Sequence, residues 1–265
     1  MPWRAALLSP LGVNKGRRCA YRVEDSAGRV LKAREFESAD EARRVFELRA
    51  GLEDAFAPAL ARHGAVLLEE WIEGEPLAER DFGTWAEPAG ALLGRLHARP
   101  LGPDQPATLS TERWIAGAEA DLELLGAAGK LAAREVGRLR DEIRRRDPGS
   151  SPTALVHTDF SAGNMLIDGE GRLRIIDNEG LAVRPPGLDL GRTFHLWPMP
   201  AATWQRFRRG YRSVASDPGA SGFWRIVATL VGARLFLRLD PPRHEASLAL
   251  LRRFLAGEQL SDAGQ

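Results

Sequence analysis

A short hairpin pattern inside a helical stretch is the feature that most constrains how this chain can fold. Met165–Asp168 and Leu173–Asp177 are β-type runs joined by Gly169-Glu170-Gly171, which is a turn composition. Before and after them, apolar residues recur at helical spacing. The sequence therefore predicts a small β-hairpin that interrupts a mainly helical lobe.

Polar side chains stand where the two hairpin strands begin and end. Asn164 opens one strand and Asp177 closes the other, so antiparallel pairing should bring both side chains to the same end. Asp159 lies in the loop just before them. Carboxylate and amide oxygens are ligands for hard cations, and an incomplete set leaves positions for phosphate oxygens and water, as Mg²⁺ prefers. We therefore expect a magnesium site here.

The first seventy residues have a different pattern from the rest. Three strand-like runs are followed by Ser38-Ala39-Asp40-Glu41, which has the form of a capping box and opens a helix that runs to about Ala50. Another strand follows, and Glu73-Gly74-Glu75-Pro76 should stop it. The predicted strands are Ala5–Leu11, Cys19–Glu24, Val30–Arg34 and Val66–Ile72. This change in pattern predicts a first lobe over residues 1–73.

The second predicted lobe, residues 74–265, is dominated by helices. The predicted helices are Pro88–Ala98, Ser110–Leu125, Lys130–Arg146, Ala201–Val214, Gly222–Leu239 and His244–Leu255. Ala154–Val156 is a further short strand before the hairpin. The expected fold class is α+β: a bilobal fold with a small β-rich first lobe that has one helix, and a larger, mainly helical second lobe.

Composition excludes several classes of protein. The 265 residues carry a formal charge of +1, which leaves no excess positive charge to bind nucleic acid. Cys19 is the single cysteine, so no internal disulfide can form. We expect no membrane span, because Arg234 and Arg238 interrupt the most apolar late stretch. The N-terminus lacks the pattern of a signal peptide, and we expect a cytoplasmic protein.

The motif around the hairpin resembles that of a known family. His157-x-Asp159, with Asn164 five residues later and then Ile175-Ile176-Asp177, resembles the catalytic loop and metal-binding segment of the aminoglycoside phosphotransferase and choline kinase family. Gly187–Leu190, Leu92–His97 and the hinge-like Glu69–Gly74 are also similar to segments of that family. The resemblance implies a protein-kinase-like fold and the use of ATP and Mg²⁺.

The resemblance also implies roles for individual residues. Asp159 would be the catalytic base or the carboxylate that orients the acceptor hydroxyl, and Asn164 and Asp177 would bind magnesium. Lys32 would pair with the α- and β-phosphates. Its partner acid would lie on the following helix, where we favour Glu47 over Glu41 because the capping box already explains Glu41. Backbone groups of the hinge, which includes Glu69 and Trp71, would receive the adenine.

Other residues have two interpretations each. Asn14 and Lys15, in the loop Gly12–Arg18, could cover the phosphates or simply belong to a hairpin loop. We expect His157 to support the loop by hydrogen bonds rather than act as a general base. Asp189 could be a helix cap or a brace for the catalytic loop, and the family pattern favours the brace. Trp197 and Trp204 are expected in the core rather than in a substrate cleft.

The sequence departs from the family pattern beside the proposed catalytic residues. Thr158 and Phe160 flank Asp159 where the family more often has Gly and Leu, and Asn178 follows Asp177 where an aromatic residue is usual. None of these changes removes a metal ligand or the base. The departures do not indicate to which subfamily the chain belongs.

These observations predict an ATP- and Mg²⁺-dependent kinase that phosphorylates a hydroxyl group of a small molecule. From Leu181 to Gln265 there are 12 Arg and no Lys against six Asp plus Glu, which favours a neutral or anionic acceptor, such as a sugar-like compound or an antibiotic, over a polycation. The alternative is a nucleotide-binding pseudokinase or regulatory module without phosphotransfer. Retention of Lys32, Asp159, Asn164 and Asp177 together favours the enzyme.

Overall fold

The computed structural model describes residues 19–79, 82–219 and 221–257. The chain divides into two compact units. One extends as far as Arg80 and also includes Ala162–Ala182, and the other comprises Asp81–Ser161 and the chain from Val183 onward. These units differ from the expected lobes, 1–73 and 74–265, because the hairpin segment groups with the strands that precede residue 80. The predicted strand Ala5–Leu11 and the loop Gly12–Arg18 lie outside the described residues.

Short strands and eight helices make up the described parts of the chain. The strands are β1 (Cys19–Glu24), β2 (Val30–Glu35), β3 (Ala59–His63), β4 (Val66–Glu70), β5 (Gly74–Pro76), β6 (Thr108–Ser110), β7 (Ser150–Pro152), β8 (Ala154–Val156), β9 (Met165–Asp168), β10 (Leu173–Ile175) and β11 (Ala182–Arg184). The helices are α1 (Ala39–Arg49), α2 (Phe82–Ala98), α3 (Glu112–Ala127), α4 (Ala133–Arg146), α5 (Pro186–Leu196), α6 (Ala201–Arg212), α7 (Ser221–Leu239) and α8 (Pro241–Leu255).

The first unit contains a four-stranded antiparallel sheet in the order β1-β2-β4-β3. Sequence patterning predicted β1, β2 and β4 but missed β3. That strand lies at the edge of the sheet and most of its side chains are exposed, so it shows no alternation of buried and exposed residues. Leu31 and Leu67 are buried on the central strands.

Helix α1 begins as the capping pattern predicts. The Ser38 hydroxyl accepts a hydrogen bond from the backbone N–H of Glu41, with an oxygen-to-nitrogen distance of 3.1 Å, which satisfies one of the unpaired donors at the helix N-terminus. Ala42 and Val45 are fully buried on the face of the helix that packs on the core. The helix ends at Arg49, one residue before the predicted end.

The predicted hairpin is present, and backbone contacts tie it to the first unit. Met165 pairs with Ile175 in the antiparallel ladder of β9 and β10. The Ile175 N–H donates to the carbonyl of Ala55 at 2.8 Å, and Arg174 Nη2 donates to the carbonyl of Phe56 at 2.6 Å. These bonds explain why the hairpin groups with the strands before residue 80 and not with the helices next to it in sequence.

A third strand, β5, adds to the hairpin and corrects the sequence analysis. Glu73-Gly74-Glu75-Pro76 was expected only to end a strand, yet Gly74–Pro76 pairs with β9. The approach is so close that a Cβ atom on Gly74 would lie 2.4 Å from the carbonyl oxygen of Ile167. Glycine is therefore required by this pairing and not only by the end of β4.

The second unit is built from helices α2 to α8. Its core contains Trp114, Leu122, Leu125, Leu139, Ile143, Trp224, Leu230, Leu248 and Leu251. Helices α2 and α6 approach closely, since a Cβ atom on Gly90 would lie 1.9 Å from the carbonyl oxygen of Phe207. Trp197 and Trp204 are 3% and 4% exposed, so their predicted place in the core is confirmed.

One helix boundary differs clearly from the prediction. The spacing of apolar residues predicts that α2 begins at Pro88. The helix begins at Phe82 and contains Pro88 in its interior. Proline lacks the N–H of an interior helix position, and the burial of Ala86, Ala89 and Leu92 on this helix offsets that loss.

Among the described residues, no helix is both long enough and apolar enough to cross a bilayer.

Candidate active site

A cavity of 460 Å³ lies within the first unit. Lys32 and Arg34 from β2 line it, together with the segment Glu69–Gly74, and Asn164 and Asp177 from the two ends of the hairpin line it as well. Alternation along β2 explains why Lys32 and Arg34 share one face of the sheet, because residues two apart point the same way. The cavity thus collects most of the side chains that the sequence analysis assigned to nucleotide and metal binding.

The hairpin brings Asn164 and Asp177 to the same end, as the pattern predicted. The Ile176 N–H donates to the Asn164 carbonyl at 3.0 Å, one position beyond the Met165–Ile175 pair. Within the described ranges, no cluster of three or more His, Cys, Asp and Glu residues forms a metal site. Asn164 and Asp177 supply one amide and one carboxylate group. These hard oxygen donors fit Mg²⁺, whose remaining positions water and phosphate oxygens commonly fill.

Lys32 is held against the segment that carries Asp177. Its Nζ donates a hydrogen bond to the carbonyl oxygen of Ile176. Burial and, to a smaller extent, the nearby charge of Arg34 lower the pKa of Lys32 to about 8, although the carboxylates of Glu69 and Asp177 act in the opposite direction. The ammonium is therefore directed at the cavity and is poorly hydrated, which strengthens its interaction with an anionic ligand.

Arg34 contacts two acids that follow the hairpin. Its Nη1 lies 3.0 Å from Asp177 Oδ1 and 2.7 Å from Glu179 Oε2. The sequence analysis did not single out Arg34, although its position two residues after Lys32 on a strand would have placed it on the same face. The arginine holds the proposed metal ligand at the wall of the cavity.

The segment predicted to be the hinge lines the cavity, and within it the side chain of Glu69 makes contacts of its own. Its side chain is buried, and Oε1 accepts hydrogen bonds from Arg49 Nη1 and, at 2.9 Å, from Asn178 Nδ2. Burial alone would raise the pKa of Glu69, but the charges of Arg49, Lys32 and Arg34 hold it below its usual value. Glu69 is thus an ionised carboxylate surrounded by cations.

Trp71 also lines the cavity, and the guanidinium of Arg22 lies 5.4 Å from the centre of its ring. The remaining hinge residues up to Gly74 line the cavity as well. An aromatic ring and backbone groups on one wall of a cavity suit a flat heteroaromatic ligand.

The structure does not bring Glu47 to Lys32. Glu47 is exposed on α1 and has no side-chain partner in residues 19–79, 82–219 and 221–257. The other candidate, Glu41, accepts a hydrogen bond from the Glu37 N–H at 3.2 Å. The buried charged residue that α1 directs inward is Arg49, which is a cation. Asn14 and Lys15 lie outside the described residues.

The predicted catalytic loop belongs to the second unit, where one buried carboxylate organises it. Asp189 Oδ1 and Oδ2 accept 2.6 Å hydrogen bonds from the backbone N–H groups of Thr158 and His157, respectively. The Asp159 N–H in turn donates to Nδ1 of His157 at 3.3 Å. His157 is buried, so its ring and Asp189 are placed to hold the backbone on either side of Thr158.

Thr158 adopts a left-handed conformation, with φ of +67°. Among the described residues no other non-glycine residue has a positive φ. This conformation is costly for a β-branched residue, and it accounts for the glycine that the family more often has at this position. The turn makes it possible for two successive N–H groups to reach one carboxylate.

A third donor completes the surroundings of Asp189. His97 Nε2 lies 3.1 Å from Asp189 Oδ2, and its Nδ1 lies 2.9 Å from the Tyr211 hydroxyl. Since a carboxylate accepts, Nε2 carries a hydrogen and donates to Asp189, while Nδ1 pairs with the Tyr211 hydroxyl. Burial raises the pKa of Asp189, but the hydrogen bond and charge of His97, together with His157, lower it overall. Tyr211 had no signal in the sequence.

Both units have the features of a kinase-like phosphotransferase: a lysine-lined cavity with an Asn–Asp pair in one, and a His-x-Asp loop in the other. The family model described as "Phosphotransferase enzyme family" matches residues 12–224. The chain belongs to this phosphotransferase family, and the resemblance found in the sequence is confirmed.

Solved structures support the α+β, kinase-like fold. The macrolide 2'-phosphotransferase MphH from Brachybacterium faecium has 18% identity and a TM-score of 0.63, with 94% of each chain covered. Choline kinase LicA from Streptococcus pneumoniae has 14% identity and a TM-score of 0.66, with 93% of this chain and 94% of that one covered. The AMP-bound spectinomycin phosphotransferase APH(9)-Ia has 14% identity and a TM-score of 0.65, with 97% and 96% covered. No curated protein matches the chain.

Proposed function

We propose that this phosphotransferase uses ATP and Mg²⁺ to phosphorylate a hydroxyl group of a small molecule. The observation that carries the proposal is the single cavity lined by Lys32, Asn164, Asp177 and the hinge segment. A triphosphate needs a cation for its phosphates, oxygen donors for its metal and an apolar wall for its base. The residues of this cavity offer all three.

Residues of the first unit have the nucleotide-binding roles in this proposal. Lys32 neutralises negative charge on the α- and β-phosphates, and the hinge from Glu69 through Trp71 receives the adenine. Asn164 and Asp177 would hold Mg²⁺, which, when bound, neutralises charge on the β- and γ-phosphates. The AMP in the structure of spectinomycin phosphotransferase APH(9)-Ia supports an adenine nucleotide as the ligand of this fold.

Asp159 has the role of orienting the acceptor hydroxyl and taking up its proton. Phosphoryl transfer requires a positioned nucleophile and stabilised phosphate charge more than it requires covalent help from the protein. His157 and Asp189 would act as positioning residues, because they contact the backbone around Asp159 and keep its loop in one conformation.

We propose a neutral or anionic acceptor, such as a sugar-like compound or an antibiotic. The basic C-terminal part disfavours a polycation. Many of its arginines are already paired within the second unit, however, including Arg208, Arg209 and Arg234 with Asp217, Glu87 and Asp121. The positive charge available to a ligand is therefore smaller than the number of arginines suggests. A neutral acceptor is as compatible with this part of the chain as an anionic one. Macrolide and choline are the acceptors named for two related folds.

Nucleotide binding is tested by thermal unfolding with and without MgATP. A ligand at about 100 times its dissociation constant stabilises the fold by about 2.7 kcal/mol, so we expect an increase in Tm of several degrees. The absence of any shift would contradict the proposal.

Phosphotransfer is tested by ADP release over a panel of macrolides, aminoglycosides, choline, sugars and sugar acids, with Asp159→Ala as the blank. Acceptor-dependent ADP release that the blank lacks would support the kinase. A Tm shift without ADP release for any acceptor would instead support the pseudokinase.

A further inference from the structure

A cluster of buried charges surrounds Glu69. Glu69 lies on β4 directly opposite Lys32 on β2, and these cross-strand partners share one face of the sheet. Arg49 reaches the same carboxylate from α1, and Arg34 Nε lies 3.9 Å from Glu69 Oε2. Glu69, Arg34 and Arg49 are at most 5% exposed. Glu69 therefore lies among three cations in a poorly hydrated place, and of these Arg34 also pairs with Asp177 and Glu179.

Three consecutive residues after β10 are each bound by a different side chain of the β2 and β4 strands. Lys32 Nζ donates to the carbonyl of Ile176, Arg34 Nη1 lies 3.0 Å from Asp177 Oδ1, and Asn178 Nδ2 donates to Glu69 Oε1 at 2.9 Å. Asn178 is 1% exposed. The segment that carries the proposed metal ligand is thus fastened on both sides of Asp177.

Glu69 is the member of this set that links the others. It accepts from Asn178, lies opposite Lys32 and binds Arg49, whereas α1 contributes a cation and no acid to the cluster. The α1 acids are engaged elsewhere or exposed: Glu41 accepts from the Glu37 backbone, and Glu47 is at the surface.

We propose that Glu69 is a positioning residue for nucleotide binding: it aligns Lys32 and the Ile176-Asp177-Asn178 segment, in place of an acid on α1. The inference rests on the proposed function and deepens it. A carboxylate is suited to this position because it accepts from two donors at once and attracts the cations on each side. An amide at residue 69 would keep the shape but lose the charge and one acceptor oxygen.

The first test compares Glu69→Gln with Glu47→Gln, which makes the same chemical change on α1. Hydrogen bonds to charged groups contribute enough that losing one commonly costs about tenfold in affinity. We expect Glu69→Gln to raise the Kd of MgATP and the KM for ATP about tenfold, with the acceptor KM changed less than twofold. Glu47→Gln should stay within twofold of the parent in all three values. The reverse ranking of the two variants would overturn the proposal.

The loss of Glu69 also leaves Arg49 buried without its partner, which can unfold the protein. The second test avoids this by exchanging the two groups, Glu69→Gln with Asn178→Asp. The pair keeps the same atoms, the same total charge and a hydrogen bond of reversed direction. We expect the exchange to fold and to recover the affinity for MgATP to within about threefold of the parent, whereas Asn178→Ala alone, which removes no charge, should weaken it about fivefold.

The outcomes separate the inference from the proposed function. Circular dichroism and Tm first establish that each variant is folded, and calorimetry then measures MgATP binding. If the parent protein binds no MgATP, the proposed function is wrong and the inference falls with it. If the parent binds MgATP and folded Asn178→Ala binds it as tightly as the parent does, Glu69 and Asn178 are only structural, and the inference alone is overturned.

Discussion

The backbone N–H of His157 donates a 2.6 Å hydrogen bond to Oδ2 of Asp189, a carboxylate 32 residues further along the chain. Thr158 donates a second bond of the same length to the other oxygen. Two main-chain donors bound to one fully buried carboxylate restrain the backbone that leads into Asp159.

Replacing this carboxylate by an amide should destabilise the second unit. Asn at position 189 would turn a donor toward a backbone N–H, which leaves buried donors unsatisfied at a cost of about 3 kcal/mol. We expect Asp189→Asn to lower the free energy of unfolding in urea by that amount. Asp104→Asn, at an exposed acid, is the control and should change it by less than about 0.5 kcal/mol. Equal stability of both variants would show that Asp189 does not brace the loop.

Thr158→Gly should stabilise the protein. The left-handed conformation costs an L-residue about 1–2 kcal/mol, while the greater freedom of glycine in the unfolded chain costs about 0.5–1 kcal/mol. The net expectation is a gain of about 0.5–1 kcal/mol, seen as a higher urea midpoint with an unchanged m-value. Thr153→Gly, at a residue without a positive φ, should instead be destabilising. A loss of stability in Thr158→Gly would mean that the threonine side chain contributes more than the backbone conformation costs.

Asp159→Asn should abolish most of the phosphotransfer while leaving the fold intact. General-base groups contribute about 10²–10⁴-fold to the rate, so we expect kcat to fall by at least 10²-fold with the KM for ATP unchanged. The matched control is Asp141→Asn, an exposed acid on α4. A kcat within tenfold of the parent in Asp159→Asn would refute its assignment as the catalytic base.

Stability should fall on acidification partly because of His195. Burial, together with the charges of Arg192 and Arg243, lowers its pKa to about 4. Its Nε2 lies 2.8 Å from Ser247 Oγ, which itself donates to the Arg243 carbonyl, so the neutral ring donates through Nε2. Below pH 6.5 the unfolded chain binds a proton on this residue while the folded protein does not, so stability is lost down to about pH 4.

The measurement is urea unfolding between pH 7.5 and 4 for the parent and His195→Gln. The parent should lose up to about 1.4 kcal/mol per pH unit more than the variant within that window. His63→Gln, at an exposed histidine on β3, is the control for loss of an imidazole. Parallel profiles for the parent and His195→Gln would contradict the expected coupling.

Much of the local structure could be predicted from the sequence because short-range rules determine it. The Ser38 cap, the turn at Gly169-Glu170-Gly171 and the ladder between Met165 and Ile175 each depend on residues that are close in sequence. The predicted juxtaposition of Asn164 and Asp177 follows from that ladder alone. Patterns failed where packing overrides them, as at β5, where Gly74 permits a close approach to Ile167, and at the start of α2.

The sequence by itself therefore determined the family, the hairpin and the identity of the residues proposed for chemistry. Only the tertiary structure decided that Glu69, rather than Glu47, lies opposite Lys32. It also decided that His97 contacts Asp189 and that Tyr211 contacts His97. The physical reason is that these contacts join residues far apart in the chain. A buried charge takes whichever partner the packed fold brings within reach, and no local pattern encodes that choice.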